Sequence, residues 1–513
     1  MLFRQKNNME KNKFYITTPI YYVNDKPHIG HAYTTIVADV LARYNRFKLG
    51  SDKVWFLTGT DEHGAKVAQS AKAENKEPQI FVDEVSAEFK SAWGKLNISF
   101  DDFIRTTEDR HEKVVGEVLT KLKSAKTPKG NDFIFKDTYE GLYCVGCEAY
   151  KKEDDLVEGK CPDHNKEPQT LSEENWYIKL SDYADVLKKK IESDEIKILP
   201  ADKKKEVLSF IEHGLEDIAV SRANVDWGIP VPFDKKQTIY VWVDALINYI
   251  SALGFPSGEN FKEFWPADTH LLAKDILKFH CIIWPVMLLA AEIEQPKELF
   301  VHGFFTLNGK KMSKTLGNVI DPNDLVEEYG ADAARYLIIS QFVFGQDGDV
   351  KVDEFPVKFN ADLANGIGNL TSRVLSMAEK YCDSKVPNKK FDTNLDLKKT
   401  WQKIDKGFTD YKIFENLREV WDVISWCDGY IDKTKPWVLG KENKQTELDQ
   451  VIYNLLEILR HLGWLLKPIL PETSAEILMR LGEDELAYEE ATKVGRIKPG
   501  TKVEKGEPLF IRK

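Results

Sequence analysis

The first regular pattern along the chain is a run of β-branched and aromatic residues from Lys13 to Tyr22, which predicts a strand. A polar turn, Val23 to Pro27, follows it. From His28 onward the apolar positions Ile29, Tyr33, Ile36, Val40 and Tyr44 recur at helical spacing, and this stripe is expected to face a sheet. Lys53 to Thr58 predicts a second strand, which ends in Gly59-Thr60-Asp61-Glu62-His63-Gly64 and leads into another helical stretch. Strand, turn and helix in alternation imply an α/β fold of Rossmann type, with a doubly wound parallel sheet. Ligands of such sheets sit at the carboxyl ends of the strands, where both polar turns fall.

Near residue 116 the alternation stops. A Cys/His cluster and a lysine-rich stretch carry the chain to about residue 206 and read as an inserted module. Strand-like sequence returns at Thr238 to Val243 and at Glu298 to Leu307, where a Gly/Lys loop follows. After about residue 358 the pattern is almost wholly helical, as in Val451, Leu455, Ile458, Leu459 and Leu462. The expected division is a catalytic domain of residues 11–115 and 207–330, an inserted module of 116–206, a linking segment of 331–357 and a C-terminal all-α helical bundle of 358–513.

At 513 residues the chain exceeds what one core serves, and 42% hydrophobic with 30% charged residues is an ordinary globular composition. No apolar run reaches the length of a bilayer span; the longest, Cys281 to Ala291, contains a proline and reads as a core helix. Met1 to Lys13 is polar and lysine-rich, unlike a secretory signal. A cytoplasmic protein without a membrane partner is expected. Cys281, Cys382 and Cys427 are scattered and read as small apolar fillers, while the other three cysteines cluster, which favours a reducing compartment and a metal site over a disulfide framework. The net charge of −11 weighs mildly against nucleic acid, but binding depends on local patches rather than totals.

Three motifs carry chemistry. His28-Ile29-Gly30-His31 stands at a predicted strand-to-helix junction, where free amides and the positive end of a helix suit phosphate. Its two imidazoles can donate to phosphate oxygens, and Gly30 lets a flat ligand approach the backbone. Lys311-Met312-Ser313-Lys314-Thr315 lies in a loop flanked by Gly309 and Gly317, where two lysines can close on a polyphosphate. Cys144-Val-Gly-Cys147 and Cys161-Pro-Asp-His164 supply four ligands at a spacing that suits one structural, tetrahedral Zn2+ in a zinc knuckle.

In this order and context the first two motifs resemble the HIGH and KMSKS signatures of the class I aminoacyl-tRNA synthetases, Thr315 standing where the signature has serine. Thr17 to Tyr44, Gly59 to Gly64, Tyr240 to Tyr249, Ala273 to Pro285 and Leu299 to Thr315 resemble the methionyl branch, and the resemblance covers essentially the whole chain. It implies ligation of L-methionine to tRNA(Met) at the expense of ATP, with Mg2+ accompanying the nucleotide. It also implies that His28 and His31 grip phosphate, that Lys314 stabilises the pentavalent phosphorus with Lys311 assisting, and that Gly30 and Asp275 serve adenine and ribose. Ile20, Tyr22, Trp242, Tyr249 and His280 would line the methionine pocket, with Asp61 on the ammonium. In the helical region, Asn365, Asn369 and Arg373 lie four apart on one helix face, and Trp437 follows Pro436 in a loop-like stretch. The resemblance assigns them to the anticodon. No appended dimerisation domain is visible, so a monomer is expected. Three other readings remain: a small-molecule adenylyltransferase, an inactive tRNA-binding paralogue, and a class I synthetase for another amino acid.

Overall fold

The computed structural model describes residues 13–144, 149–151, 153–162, 165–310 and 319–513. The chain forms two compact units: Met1–Pro27, Trp55–Trp93 and Phe100–His302 make the first, and His28–Val54, Gly94–Ser99 and Gly303–Lys513 the second. This division differs from the one read along the sequence.

The first unit is built on a parallel sheet. Its strands run in the order Tyr21–Tyr22, Val54–Asp61, Phe14–Thr17, Thr269–Ala273, Glu298–His302 and Lys197–Leu199, with Asp102–Arg105 also paired to Val54–Asp61. The Thr18 amide donates to Leu57 O at 3.1 Å and Tyr21 lies opposite Thr60, so Phe14–Thr17 and Tyr21–Tyr22 follow the same neighbour. The single strand expected over Lys13 to Tyr22 is therefore interrupted at residues 18–20, where Pro19 has no N–H to give the ladder. Strands are added outward in opposite directions from Phe14–Thr17 and Thr269–Ala273, which makes the junction of these two the topological switch point. All but one residue of Val54–Asp61 is buried, as befits a parallel strand covered on both faces.

Several boundaries differ from expectation. Lys197–Leu199 pairs in parallel with Glu298–His302, so part of the stretch assigned to the inserted module belongs to the main sheet. Ile134–Cys144, Ala149–Lys151 and Gln169–Ile178 of that module form an antiparallel sheet, which Ile218–Ala219, beyond the module's expected end, completes, and the helix Ala184–Glu192 also falls within the module. Thr238 to Val243 is not one strand: Asp234–Ile239 is extended and Val241–Leu246 is helical, since a short buried apolar run fits either state. Glu298 to Leu307 is two strands, Glu298–His302 and Phe305–Leu307, parted at Gly303.

The second unit is mainly helical. Its helices include Ile29–Leu49, Pro322–Tyr329, Ala331–Ile339, Asn369–Cys382, Leu397–Thr409, Ile413–Thr434, Gln445–Leu466 and Pro471–Arg480. Tyr33, expected to face the sheet, lies against Phe305, Phe342 and Phe344, while Tyr44 stacks on Phe408 at 4.2 Å and Phe47 on Trp464 at 5.3 Å. Periodicity gives the buried face but not its partner. An ion pair sits in this packing. Fully buried Asp39 meets Arg335 at 2.6 Å and Arg43 at 2.8 Å, and also accepts from the Ser99 amide at 2.7 Å. Burial opposes the charge on Asp39, but the two guanidiniums and Ser99 outweigh it and hold the carboxyl below its ordinary value. Arg335 spends its other donors on the Ile469, Leu96 and Pro468 carbonyls. Among the described residues, no helix is long and apolar enough to cross a membrane.

Candidate active site

Helix Ile29–Leu49 begins at His28, whose extended backbone makes it the N-cap. The first amides of a helix lack internal acceptors. Here imidazoles supply them: the Gly30 N–H donates to His28 Nδ1 at 3.1 Å, and the His28 N–H donates to His31 Nδ1 at 3.3 Å. The rings stack with centroids 3.7 Å apart. Burial lowers the His28 pKa to about 4, and burial together with its neighbour lowers that of His31 well below the ordinary value, so both rings are neutral. A neutral ring whose Nδ1 accepts a hydrogen bond carries its proton on Nε2. The turn therefore presents two Nε2–H donors at the positive end of a 21-residue helix.

The Ile29 N–H donates to Ile320 O at 3.1 Å, which ties this helix start to the chain just beyond residue 318. Lys311, Lys314 and the rest of the Lys311-to-Thr315 motif lie outside the described residues. The chain leaves toward that motif from a tight turn at Asn308-Gly309, both with positive φ, closed by hydrogen bonds between Leu307 and Lys310.

In the first unit Tyr22 and Asp61 fall at the carboxyl ends of their strands, and Asp275 follows directly after another. Tyr22 lies opposite Asp61 in the ladder, and the Val23 amide donates to Asp61 O. Asp61 is 5% exposed. Asp275 is exposed in the turn Lys274–Ile276 directly after Thr269–Ala273. Ile20, Tyr22 and Trp242 are half-buried against a core that contains Tyr249. Trp242 stacks on Phe279 at 3.9 Å. His280 sits in a π-helical turn, Phe279–Ile283, a local widening found often at functional sites. Its Nδ1 lies 3.0 Å from the Ile276 carbonyl and must donate to it, so Nε2 accepts the hydroxyl proton of Tyr249 at 2.7 Å. Burial lowers His280 to about 4 and raises Tyr249, which leaves both neutral.

A polar network behind this site escaped the sequence reading. Asp244, buried in helix Val241–Leu246, holds His63 Nδ1 and His111 Nε2, each at 2.7 Å, and His111 Nδ1 meets Ser251 Oγ at 2.7 Å. Burial favours neutral His63, but Asp244 overrides it and raises the pKa. Glu62 next door takes both prongs of Arg105, at 2.7 and 2.9 Å, and accepts from Thr60 and Thr107. A carboxylate inside the apolar run Val241 to Ile247 was the available signal, because a charge so placed needs partners.

Of the four proposed metal ligands, Cys144 and Cys161 are buried thiols, while Cys147 and His164 lie outside the described residues. The Asn165 amide donates to the Cys161 carbonyl, and the Cys161 amide donates to Lys166 O. Among the described residues, no group of three or more metal-binding side chains is assembled.

In the helical unit Asn365 and Asn369 are exposed and Arg373 is partly so. They do not share one regular helix. Asn365 lies in the π-helical segment Phe359–Gly368, which departs from helical backbone at Gly366, and Asn369 opens the next α-helix. Arg373 pairs with Asp428 at 2.7 Å, and Asn365 accepts from Arg512 at 2.8 Å. Trp437 is 43% exposed, in the short helix Pro436–Lys441 rather than in a loop.

The family model described as tRNA synthetases class I (M) matches residues 14–171 and 164–375, and that of the anticodon-binding domain of tRNA ligase matches residues 395–502. A methionine–tRNA ligase of Caldanaerobacter subterraneus is 44% identical over 98% of this chain and 79% of its own length, and one of Thermotoga maritima is 43% identical over 97% and 80%. Among solved structures, a Mycobacterium tuberculosis methionyl-tRNA synthetase in complex with methionyl-adenylate is 36% identical, with a TM-score of 0.91 over 98% of this chain and all of that one.

Proposed function

The chain belongs to the class I (M) tRNA synthetases, and we propose on that premise how its own residues share the reaction. The reaction is methionine–tRNA ligation. A carboxylate oxygen of L-methionine attacks the α-phosphorus of ATP, the bond to the β-phosphate oxygen breaks, and pyrophosphate leaves. A hydroxyl of the terminal ribose of tRNA(Met) then attacks the carbonyl carbon, and AMP leaves. Little covalent work falls to the protein, whose contribution is positioning and charge stabilisation.

His28 and His31 give their Nε2 protons to phosphate oxygens, and Gly30 lets adenine lie close to the backbone. The observation that carries this reading is the stacked, neutral imidazole pair, its Nδ1 atoms already taken by backbone amides. Lys311 and Lys314 meet the same phosphates, and Mg2+ accompanies ATP to spread its charge. The Ile29–Ile320 hydrogen bond supports this, because Ile320 follows Lys314 by six residues. Asp275 takes the ribose.

Asp61 pairs with the methionine ammonium, as a buried carboxylate at a strand end suits. Ile20, Tyr22, Trp242, Tyr249 and His280 enclose the side chain. Tyr249 and His280 spend their polar atoms on each other and on Ile276, so they meet a ligand as neutral aromatic surface. A polarizable thioether packs well against such surface. Asn365, Asn369, Arg373 and Trp437 read the anticodon, Trp437 as a stacking platform. Cys144, Cys147, Cys161 and His164 hold a structural Zn2+. The buried thiols of Cys144 and Cys161 fit that ion, which would brace the module and take no part in chemistry. We place the protein in the cytoplasm, in keeping with its likeness to methionine–tRNA ligases.

The deciding experiment is ATP–pyrophosphate exchange with each of the twenty amino acids in turn. Exchange with methionine alone is expected. Exchange with leucine in its place overturns the specificity, and exchange with none overturns the enzyme reading.

A further inference from the structure

Asp244 sits where two segments of the methionine site are joined. One is the turn Asp61 to Gly64, which begins at the residue assigned to the ammonium. The other is the helical stretch from Val241 through Ser251, which carries Trp242 and Tyr249. Both oxygens of Asp244 are committed, Oδ2 to His63 of the turn and Oδ1 to His111 of helix Asp109–Lys123, and His111 reaches back to Ser251 at the far end of the stretch. The three side chains are almost fully buried: His63 is 4% exposed, Asp244 1% and His111 0%. None of them has a part in the chemistry described above.

A second set of contacts closes the same junction. The Trp227 indole donates to the Glu62 carbonyl at 2.6 Å, the Gly64 amide donates to Trp227 O at 3.1 Å, and the Trp227 ring meets His63 edge-on at 5.5 Å. The turn beyond Asp61 is thus held from both sides.

We propose that His63, Asp244 and His111 are positioning residues for methionine: they fix the ammonium-binding carboxylate relative to the aromatic wall of the side-chain pocket. The proposal rests on the assignment of Asp61, Trp242 and Tyr249 to methionine. Its physical basis is that a buried carboxylate with two imidazole partners is geometrically demanding, so the turn and the helix cannot drift apart without stripping a desolvated charge of one of its two partners. The charged and titratable groups that face His63 are Asp244, Glu112 and Glu62, with His111 across Asp244; all three carboxylates favour its protonated form. The tie is strongest with His63 charged and weakens as pH rises through its raised pKa.

The test compares His63→Asn and His63→Ala with the unaltered chain in methionine-dependent pyrophosphate exchange. Asn keeps a neutral donor in the place of Nδ1, and Ala keeps none. The expected result for Ala is a methionine KM raised about tenfold or more, since stranding a buried acceptor costs at least about one decade in an equilibrium. The ATP KM should stay within about twofold, and Asn should recover most of the loss. The unaltered chain should show a methionine KM that rises with pH relative to that of His63→Asn, a comparison in which the titration of methionine itself cancels. Equal rises in both KM values overturn the proposal, as does Asn no better than Ala. If Ala does not fold, parallel pH profiles for Asn and the unaltered chain overturn it. No exchange with methionine in the unaltered chain would instead refute the underlying function.

Discussion

His28 does two things at once, and one substitution separates them. Its Nδ1 accepts the Gly30 amide at 3.1 Å, which caps the helix, while its Nε2 carries the proton assigned to phosphate. In His28→Asn, Oδ1 falls near the place of Nδ1 and Asn is itself a favoured N-cap, so the helix keeps its cap. What goes is the outer donor. A donor aimed at developing charge is worth about 10²–10³ in rate, or roughly 2.7–4 kcal/mol. His28→Ala, by contrast, loses cap and donor together, and the cap alone is worth about 1 kcal/mol of stability. The expected outcome is that Asn and Ala both lower methionine-dependent pyrophosphate exchange by about two to three decades. Only Ala lowers the thermal midpoint. Exchange at the unaltered rate in His28→Asn would show that the imidazole is a cap and nothing more. A thermal loss in Asn equal to that in Ala would show that the hydrogen bond to Gly30 is not what holds the turn.

The folded His28 pKa of about 4 lies below the unfolded value near 6.5. The unfolded chain therefore binds more protons between those values, so this contribution to stability is full above about pH 6.5 and is lost as pH falls toward 4. Thermal midpoints at pH 7.5 and pH 5 should differ less in His28→Asn than in the unaltered chain; an equal difference refutes the assignment. Tyr249→Phe conserves volume but strands His280 Nε2, which should cost about 1–3 kcal/mol. A lower thermal midpoint with a raised methionine KM is expected, and an unchanged midpoint would mean that the hydroxyl and the ring are not bonded. Arg335→Met leaves Asp39 buried with only Arg43 and Ser99, and should destabilise the second unit by about 3–5 kcal/mol in urea unfolding. Adding Asp39→Leu should recover much of that loss, and additive losses would deny the coupling.

Local signals made much of the first unit legible. β-branched runs that end in polar turns gave the parallel sheet, and those turns gave the strand ends where Asp61 and Tyr22 lie opposite each other. The break at Pro19 follows from a missing donor that a run of apolar residues conceals. The helix Val241–Leu246 was hidden because a short buried segment has the same composition in either conformation. The network around Asp244 was hidden for another reason: its partners are 181 and 133 residues away, and no spacing rule reaches that far. Helical periodicity likewise placed Asn365, Asn369 and Arg373 on one face, but it assumes a uniform turn, and the π-helical segment with its irregular Gly366 breaks that assumption.

The packing of helix Ile29–Leu49 sets a limit on how this protein can be taken apart. An engineer who cut the chain near residue 358, or grafted a foreign bundle there, would remove Phe408 from beneath Tyr44 and Trp464 from beneath Phe47, and would withdraw the Ile469 and Pro468 carbonyls that seat Arg335. The segment left bare is the one whose first turn presents the two imidazoles. A minimal fragment designed to keep only the nucleotide chemistry must therefore bring those C-terminal helices along, or supply a substitute bed for the residues they cover.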